Sequence, residues 1–487
     1  MLRRRDKVVR HGLPGERDVD AAEFAIGDHH PGLAAHPLGA PRVAVVGLGY
    51  VGLPTALGLF GSGATVLGVD VSPARLRDIR DGNPDLLAED RERLAGALRE
   101  ERFILTSDPT VLENADAVMI CVPTPVDTHL DPDLEILRAA CATVVHHAQP
   151  GQVIILTSTS YPGCTRELLA GPLRTRNLTP GEDIYVASSP ERIDPANAAF
   201  PQHSVPRVVG GVTHECTVRA ASLIRLVTAN VHTVSSPEAA EMTKLVENSF
   251  RAVNIAFANE MADVARSLEV SIGEVIEAAS TKPYGFMAFQ PGTGVGGHCI
   301  PCDPHYLLWQ LRANRIGAPI LSEAMGAIAR RPHEIVTQIV EALRMGGQGI
   351  RDARILIVGV AYKPDVRDTR GSPAIEILAE LCDLGAHVEY HDPFVKSVGL
   401  DHNRVLLSVT KPNASAYDLV LVNTLHNETD YGWLHGARLL LDPSDRDRGE
   451  NITPDVEREA ITVNADRGSE GALSRVAEER AAFTIRR

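Results

Sequence analysis

Hydrophobic and polar positions along the chain fall into three consecutive patterns. In the first, from Arg42 to about Val231, short apolar runs that end in glycine or a polar residue alternate with stretches of helical periodicity. Such runs are typical of strands buried in a parallel sheet. The clearest of them cover residues 43–46, 65–69, 117–122 and 153–156. The first pattern therefore predicts an α/β domain.

The third pattern, from Ala353 to about Val463, repeats this alternation. Its apolar runs at residues 355–358, 387–390 and 419–422 again predict parallel strands. The turn after the first run, Gly359-Val-Ala361, lacks the glycine pattern of a dinucleotide-binding turn. The chain is therefore predicted to be an α/β protein with two Rossmann-like doubly wound domains, and only the first domain has a standard dinucleotide turn.

The second pattern, between the two alternations, is helical and continues to about Arg344. Ser236 can cap a helix, and Pro237 suits its first position because proline presets the φ angle that a helix requires. Apolar residues then recur at helical spacing, with no glycine or proline before Gly273. This predicts a central domain with an unusually long helix, whose apolar face suits a protein core and a subunit contact equally well.

These patterns divide the chain into five segments. Both ends are rich in charged residues without periodicity, and they are expected to be tails covering residues 1–40 and 466–487. Between the tails we expect the first Rossmann domain, the central helical domain and the second Rossmann-like domain, at residues 41–231, 232–345 and 346–465.

Composition restricts the class of protein. The chain has 487 residues, too many for one ordinary core, with 44% hydrophobic and 23% charged residues, as in soluble globular proteins. Its formal net charge of −15 disfavours nucleic acid, which needs basic side chains to neutralise phosphates. Apolar runs are too short for a membrane span, and the basic N-terminus lacks the apolar stretch of a secretory signal. Seven cysteines without a disulfide-like spacing suit a reducing compartment, so we expect a cytoplasmic protein.

A glycine-rich turn follows the first predicted strand. Gly47, Gly49 and Gly52 stand before a predicted helix, and Asp70 ends the next strand. The first glycine allows the tight turn, the second lets a pyrophosphate approach the backbone, and the third allows close helix packing. Asp70 would accept hydrogen bonds from ribose hydroxyls and repel a 2′-phosphate, which predicts NAD as the cofactor rather than NADP. Arg75 is expected either beside the cofactor or as an ordinary solvated helix residue.

The segment around residues 291–305 holds the densest group of reactive side chains, namely His298, Cys299, Cys302, Asp303 and His305. Four interpretations are open: a redox dithiol, a compact zinc site, a covalent nucleophile at Cys299, or a glycine loop with inert thiols. Backbone amides of a glycine-rich loop can stabilise an oxyanion beside a thiol, which favours the nucleophile. The dithiol lacks a supporting partner fold, and closely packed ligands leave little room for tetrahedral zinc.

Between residues 42 and 463, the chain resembles one family, the UDP-sugar 6-dehydrogenases of the UDP-glucose/GDP-mannose dehydrogenase family. The resemblance lies in a series of short segments that occur in the same order. The matching segments are Gly47-Leu-Gly-Tyr-Val-Gly-Leu-Pro54, Val122-Pro-Thr-Pro125, Ser158-Thr159, Ser189-Pro-Glu-Arg-Ile193, Glu241-Met-Thr-Lys-Leu-Val-Glu-Asn248, Gly296-Gly-His-Cys-Ile-Pro301, Ala361-Tyr-Lys363 and Asp368-Thr-Arg370. The resemblance implies an NAD-dependent, four-electron oxidation of a sugar C6 hydroxyl to the uronic acid. It also implies a thiohemiacetal and then a thioester on Cys299.

The resemblance assigns catalytic roles to six residues: Cys299, Lys244, Asn248, Asp303, Glu191 and Thr159. Lys244 would stabilise the developing alkoxide, and Asn248, four residues later on the same helix face, would position it or a water. Asp303 resembles the water-binding carboxylate and base of the alcohol step. Glu191 resembles the carboxylate linked to thioester hydrolysis, and Thr159 resembles a residue that orders a catalytic water or touches the cofactor.

The resemblance also implies binding residues on both sides of a cleft between domains. Those for the cofactor are Gly47, Gly49, Tyr50, Val51, Gly52, Asp70, Arg75, Thr124, Thr159 and Arg370. Those for the UDP-sugar are Glu191, Arg192, Ile193, Lys244, Asn248, Arg251, Gly296, Tyr362 and Lys363. In an acidic chain, local cations are needed to neutralise a diphosphate. Four positions depart from the common family pattern, namely Thr157, Thr293, Gly371 and the segment Asp442-Pro-Ser444.

The identity of the sugar is predicted from a few short segments. The segments Ser158-Thr-Ser-Tyr-Pro-Gly163 and Thr281-Lys-Pro-Tyr-Gly-Phe-Met287, together with His298 and Cys302, are most similar to UDP-N-acetyl-D-glucosamine 6-dehydrogenases. UDP-N-acetylmannosamine and UDP-glucose are the alternatives. A non-enzymatic alternative is an NAD-binding redox switch that uses Cys299 and Cys302. The long helix and the resemblance both favour a homodimer or a higher homo-oligomer.

Overall fold

The computed structural model describes residues 40–82, 88–192, 204–400 and 404–445. Ile193, an expected substrate contact, lies outside the described residues. The expected C-terminal tail and the end of the third pattern beyond residue 445 also lie outside them, as does all of the expected N-terminal tail except residue 40.

Eight strands form the first sheet. They are β1 (Arg42–Val46), β2 (Thr65–Val69), β3 (Phe103–Thr106), β4 (Ala117–Ile120), β5 (Val153–Leu156), β6 (Tyr185–Ser188), β7 (Arg207–Gly211) and β8 (Val231–Val234). Their order is β3-β2-β1-β4-β5-β6-β7-β8, and every pair is parallel except β6 with β7. The first six follow the Rossmann order, which confirms the predicted fold class.

Helices cover both faces of this sheet. They are α1 (Gly52–Gly61), α2 (Pro73–Arg80), α3 (Ala88–Ala97), α4 (Glu135–His147), α5 (Gly171–Thr175) and α6 (His214–Ile224). Val43 and Val45 of β1 pack into one core, and Ala44 and Val46 pack into the core on the opposite face. A strand buried on both faces must be apolar at successive positions, and this is why the strand appears in the sequence as a continuous apolar run.

Four helices form the central region: α7 (Pro237–Ser267), α8 (Ile272–Ser280), α9 (Asp303–Ala313) and α10 (Pro319–Met345). The predicted start of α7 is confirmed, because the Ser236 hydroxyl accepts a hydrogen bond from the Ala239 N–H at 3.2 Å. The helix ends at Ser267, before Gly273, and Glu269 takes a left-handed φ of 57°. Within the described residues, no helix is both long and apolar enough to cross a bilayer.

The second sheet contains β9 (Arg354–Val358), β10 (His387–His391), β13 (Leu419–Val422) and β14 (Leu440–Leu441), and β11 (Ser397–Leu400) and β12 (Arg404–Leu407) form a separate antiparallel pair. The sheet order is β10-β9-β13-β14, with all pairs parallel. The C-terminal half of α10 and α11 (Pro373–Asp383) cover one face. Two 3₁₀ turns, Ala414–Ala416 and Gly432–Gly436, cover the other.

Candidate active site

The glycine turn after β1 has the geometry that a dinucleotide needs. Gly47 has a left-handed φ of 87°, and a Cβ atom there would lie 2.8 Å from the Cys121 carbonyl oxygen. A Cβ at Gly52 would lie 1.8 Å from the Gly47 carbonyl oxygen, so neither position accepts a side chain. A Cβ at Gly49 would meet nothing within 4 Å. The open position is the one where a pyrophosphate must approach the backbone.

Asp70 lies directly beside this turn. Its Oδ2 accepts a hydrogen bond from the Leu48 N–H at 2.9 Å, and its Oδ1 accepts one from the Ser72 N–H at 2.9 Å. A carboxylate has lone pairs left after two such bonds, so Asp70 can still accept hydrogen bonds from ribose hydroxyls. Arg75 Nε donates to the Leu48 carbonyl at 2.9 Å, which holds this cation next to the turn. These residues fit NAD, which agrees with the sequence prediction.

The other expected cofactor residues lie around the ends of β4 and β5. The Ser158 hydroxyl donates to the Val122 carbonyl at 2.8 Å, so the segment with half-buried Thr159 lies against the one that leads to Thr124. The hydroxyl of buried Tyr306, on α9, donates to the carbonyl of Pro125, next to Thr124, at 3.4 Å. This contact brings the cofactor side of the first domain against the helix that follows the glycine-rich loop of residues 291–302, which carries Cys299 and is called the nucleophile loop below. Tyr50 is 40% exposed, and Val51 is half-buried at the start of α1.

A cleft of about 500 Å³ separates the central region from the second sheet. Its walls bring together most of the expected substrate residues. Those in the lining are Arg192, Lys244, Asn248, Arg251, Gly296, Tyr362 and Lys363, with Cys299 beside them. Asn423 and Thr424, which follow β13, also line it. The second sheet therefore contributes the carboxyl ends of its strands, where open α/β sheets bind ligands.

A buried carboxylate lies between α7 and α9. Asp303 is 4% exposed, and its Oδ2 accepts a short hydrogen bond from the Asn248 side-chain amide. Burial raises the pKa of Asp303 to about 6, although the charge of Lys244 and the hydrogen bond from Asn248 both act in the opposite direction. Asp303 can therefore accept and release a proton near neutral pH, as a general base must.

The two thiols of the nucleophile loop have different environments. Cys299 is exposed in the cleft, whereas Cys302 is half-buried at the N-terminus of α9. Burial, together with the charge of Asp303, raises the pKa of Cys302 to about 11, so this thiol stays protonated at neutral pH. All seven cysteines lie within the described residues, and none is in a disulfide. No group of His, Cys, Asp or Glu among those residues has the arrangement of a metal site. The geometry favours Cys299 as the reactive thiol.

The root of the nucleophile loop is fixed by two helices. The Asn259 side chain on α7 accepts the Gly292 N–H at 2.8 Å, and Arg331 Nε on α10 donates to the Gly292 carbonyl at 3.0 Å. The Thr293 hydroxyl donates to the Asn423 side chain, which joins the loop to the second sheet. Sequence reasoning noted Thr293 only as a departure from the family pattern and missed Asn259, Arg331 and Asn423. The signal in the sequence was weak, because the partners lie far apart along the chain.

The loop after β9 closes over the nucleophile loop. A Cβ at Gly296 would lie 2.7 Å from Tyr362 Cβ, so only glycine allows this contact. The Gly297 N–H donates to the Arg370 carbonyl at 3.2 Å, and the Arg370 guanidinium pairs with Asp368 at 2.6 Å. The pKa of Arg370 lies above its usual value, chiefly because of the hydrogen bond to Asp368, and the nearby Tyr362 and Tyr50 add to the shift. Arg370 therefore lies near Tyr50 of the first domain.

Glu191 is buried and paired. Its Oε2 accepts from Arg207 Nη1 at 2.7 Å, and its Oε1 accepts from the Arg192 N–H at 2.8 Å. Arg207 is 2% exposed and was not identified from the sequence, where it reads as one charge at the start of an apolar strand. Removing one partner of such a buried pair typically costs about 3–5 kcal/mol. Arg192 reaches the cleft and pairs with Glu247 at 2.6 Å.

Comparison with known proteins identifies the family of the chain. Three domain models of the UDP-glucose/GDP-mannose dehydrogenase family match the chain in order. The NAD binding domain matches residues 41–228, the central domain 238–327, and the UDP binding domain 356–444.

Individual relatives match over most of their length. The chain is 34% identical to a UDP-N-acetyl-D-glucosamine 6-dehydrogenase of Pseudomonas aeruginosa, over 80% of this chain and 91% of that protein. It is also 34% identical to a UDP-N-acetyl-D-mannosamine dehydrogenase of Pyrococcus horikoshii, over 73% and 84% of the two chains.

Solved structures give the same result. A UDP-D-ManNAc dehydrogenase structure from Pyrococcus horikoshii superposes with a TM-score of 0.73 at 32% identity, over 80% of this chain and 90% of that one. A UDP-glucose dehydrogenase structure from Pyrobaculum islandicum also gives 0.73, at 25% identity over 84% and 99%. With all three family domains present in order, the chain belongs to the UDP-glucose/GDP-mannose dehydrogenase family and is an NAD-dependent nucleotide-sugar dehydrogenase.

Proposed function

We propose that the protein oxidises the C6 alcohol of a UDP-N-acetylhexosamine to the carboxylate, through a covalent intermediate on Cys299. The observation that supports this best is the cleft itself, where an exposed thiol stands with Lys244 and Asn248, next to the buried base Asp303. The redox-switch alternative assigns no role to Lys244 or to Asp303. Formation of NADH from NAD and a UDP-sugar separates the two functions, because a switch would form none.

Each side chain has a role that its position supports. NAD supplies the hydride acceptor for both oxidations. Asp303 takes the proton of the C6 hydroxyl while Lys244 stabilises the developing alkoxide, and the alcohol becomes an aldehyde. The Cys299 thiol adds to the aldehyde to give a thiohemiacetal, which loses a second hydride and a proton to become a thioester. Water then cleaves the thioester, giving the carboxylate and the free thiol.

The hydrolysis step involves residues of the first domain in this proposal. Thr159 follows β5 and is half-buried, so its hydroxyl can order the attacking water. Glu191 is the carboxylate assigned to this step by resemblance, and both of its oxygens are held by Arg207 and by the Arg192 amide. Such a fixed carboxylate can orient a water without moving during the reaction.

The thioester route predicts two NADH per sugar, because the aldehyde stays bound until the second oxidation. Cys299→Ala should abolish uronate formation while UDP binding is kept, whereas Cys302→Ala should stay active, because its protonated thiol has no role. The measurements are NADH stoichiometry, uronate yield and calorimetric binding of UDP. One NADH with free aldehyde released, or equal damage from the two substitutions, would argue against the mechanism.

The raised pKa of Asp303 predicts the pH dependence of the first oxidation. Only the ionised carboxylate can act as base, so the single-turnover rate should fall as the pH drops through about 6. Asp303→Asn should lose this acid limb and should be slower by roughly 10²–10⁴-fold, the usual contribution of a general base. Glu376→Gln on α11 is the matched control, because burial raises the pKa of Glu376 outside the cleft. An unchanged acid limb in Asp303→Asn would assign the base to another group.

For the sugar, we propose UDP-N-acetylglucosamine. Support comes from the segments that resemble its dehydrogenases and from relatives bearing that name, which match over about four-fifths of this chain. In a single chain, Tyr284 and Met287 of the segment Thr281–Met287 are 72% and 64% exposed and do not line the cleft. This segment therefore supports the proposal through similarity alone. His298, in contrast, does line the cleft.

The sugar assignment predicts that kcat/KM is highest for UDP-N-acetylglucosamine, followed by UDP-N-acetylmannosamine and then UDP-glucose. The ratio of kcat/KM for UDP-N-acetylglucosamine to that for UDP-glucose should exceed roughly 200 if UDP-glucose leaves a buried polar group of the protein without the acetamide as its partner. It should lie within about 10–200 if the acetamide is recognised only by a small apolar pocket. All three sugars are compared on one preparation. Fastest turnover of UDP-glucose would refute the sugar and leave the thioester mechanism standing.

We also propose that the protein is a homodimer joined through α7. Four apolar residues along this helix are 42–56% exposed, and their spacing puts them on one face: Val246, Phe250, Phe257 and Val264. A row of apolar side chains of this length is unusual on a monomer, whereas a second copy can cover it with the same surface.

If α7 forms the interface, Phe257→Glu should give a monomer in light scattering coupled to gel filtration. The introduced carboxylate would be desolvated against the partner helix. Ile320→Glu on α10 is the matched control, because it places the same charge on an apolar residue that is 74% exposed but lies off α7. A dimer that persists in Phe257→Glu would locate the contact elsewhere.

A further inference from the structure

A fully buried histidine supports the loop that carries Lys363. His426 follows β13, and its side chain has no exposed surface. Its ring stacks on Phe394 with centroids 4.4 Å apart, and its backbone N–H donates to the Tyr431 hydroxyl at 3.0 Å. The ring is therefore fixed in orientation, and each of its nitrogens meets a defined neighbour.

The two nitrogens face different partners. Nδ1 accepts a hydrogen bond from the Asp365 N–H at 2.9 Å, so Nδ1 must carry a lone pair and the proton of the neutral ring is on Nε2. Nε2 lies 3.2 Å from Asp392 Oδ1, out of line for a strong hydrogen bond but close enough for an electrostatic contact. His426 therefore joins the loop after β9 to the end of β10.

Asp392 holds the other end of the same loop. Its Oδ2 accepts the Val360 N–H at 2.8 Å and the Ala361 N–H at 3.1 Å. Burial acts to raise the pKa of Asp392, but His426 and the Val360 and Phe394 amides outweigh burial, and the net pKa lies below the usual value. An ionised carboxylate thus fixes the start of the loop, and His426 fixes its end.

Lys363 lies between these two anchors. Asp365 has a left-handed φ of 61°, a conformation that non-glycine residues adopt only when neighbours hold them there. Besides His426, the Asn427 N–H donates to Asp365 Oδ1 at 2.9 Å. Lys363 lines the cleft two residues before this strained position. The backbone that carries Lys363 into the cleft is therefore fixed two residues further on, at Asp365.

We infer that His426 is a positioning residue for the diphosphate of the substrate, acting through the Asp365 backbone to hold Lys363 in the cleft. This rests on the proposed function in one respect, that the ligand of the cleft is a uridine diphosphate. An ammonium acts on phosphate as a point charge, so its contribution falls when the loop lets it move away. Uridine, which carries no phosphate, is not affected by that charge.

Two substitutions of His426 distinguish the roles of its two ring nitrogens. In His426→Asn the side-chain oxygen can replace Nδ1 and accept the Asp365 N–H, whereas His426→Gln reaches toward Asp392 and leaves that N–H without its partner. Binding of UDP and of uridine to the full chain is measured by calorimetry. We expect His426→Gln to weaken UDP binding about tenfold with uridine binding unchanged, and His426→Asn to stay near wild type.

Three controls make the experiment decisive. His387→Asn, on the same sheet with a 71% exposed side chain, should bind both ligands normally. In a Lys363→Met background, His426→Gln should have no further effect on UDP, because a residue that acts through Lys363 loses its effect with it. If His426→Gln does not fold, Asn427→Ala tests the same anchor from the exposed side, because it removes the side-chain amide that donates to Asp365 Oδ2, and it should show the same selective loss of UDP.

Several outcomes would overturn the inference. They are normal UDP binding in His426→Gln, equal loss of UDP and uridine binding, or an undiminished effect of His426→Gln in Lys363→Met. If Asn427→Ala is used instead, unchanged UDP affinity in that variant would contradict the inference equally. A wild-type protein that binds no UDP would instead refute the proposed function, so the two failures are distinct.

Discussion

The hydrogen bond from the Asn248 amide to the Asp303 carboxylate joins the parts on which the site depends. It fastens the long helix α7 to the first turn of α9, directly after the loop that ends in Cys299 and Cys302. A carboxylate with 4% exposure is costly to ionise, and the Lys244 charge offsets part of that cost. Asp303 is thereby held against α7, and the loop that carries Cys299 is fixed in addition to the second sheet, by Thr293 to Asn423 and by Gly297 to Arg370.

Each of the two main sheets has an acid directly after its second strand, Asp70 after β2 and Asp392 after β10. The two acids have different roles in the structure. Asp70 accepts one turn amide, from Leu48, and keeps capacity for a ligand. Asp392 is 2% exposed, its Oδ2 accepts two amides of the equivalent turn, and its Oδ1 accepts the Phe394 and Val395 N–H groups with His426 Nε2 3.2 Å away. The acid therefore keeps capacity for a ligand in the first sheet and serves as a structural support in the second. The second turn keeps only the first glycine of the pattern, Gly359, whose φ of 79° and close approach to the Thr424 carbonyl leave no room for a side chain.

The sequence predicts short-range features well and contacts between distant residues poorly. The cap at Ser236, the apolar strands and the glycine turn are short-range features, and the structure reproduces them within a few residues. Strand β8 was missed because its sequence Val-His-Thr-Val contains no apolar run, and none of its four side chains is fully buried. Contacts such as Thr293 with Asn423 depend on how the domains pack, which no local pattern encodes.

Helix α10 has a further consequence. Its first half packs in the central core around Met325, and its second half packs under the second sheet around Ile339, with Pro332 buried between them and no break in the helix. The two cores therefore share one cooperative element. A cut between Met345 and Gly346, where the helical pattern stops, would separate the second sheet from the helix that covers one of its faces.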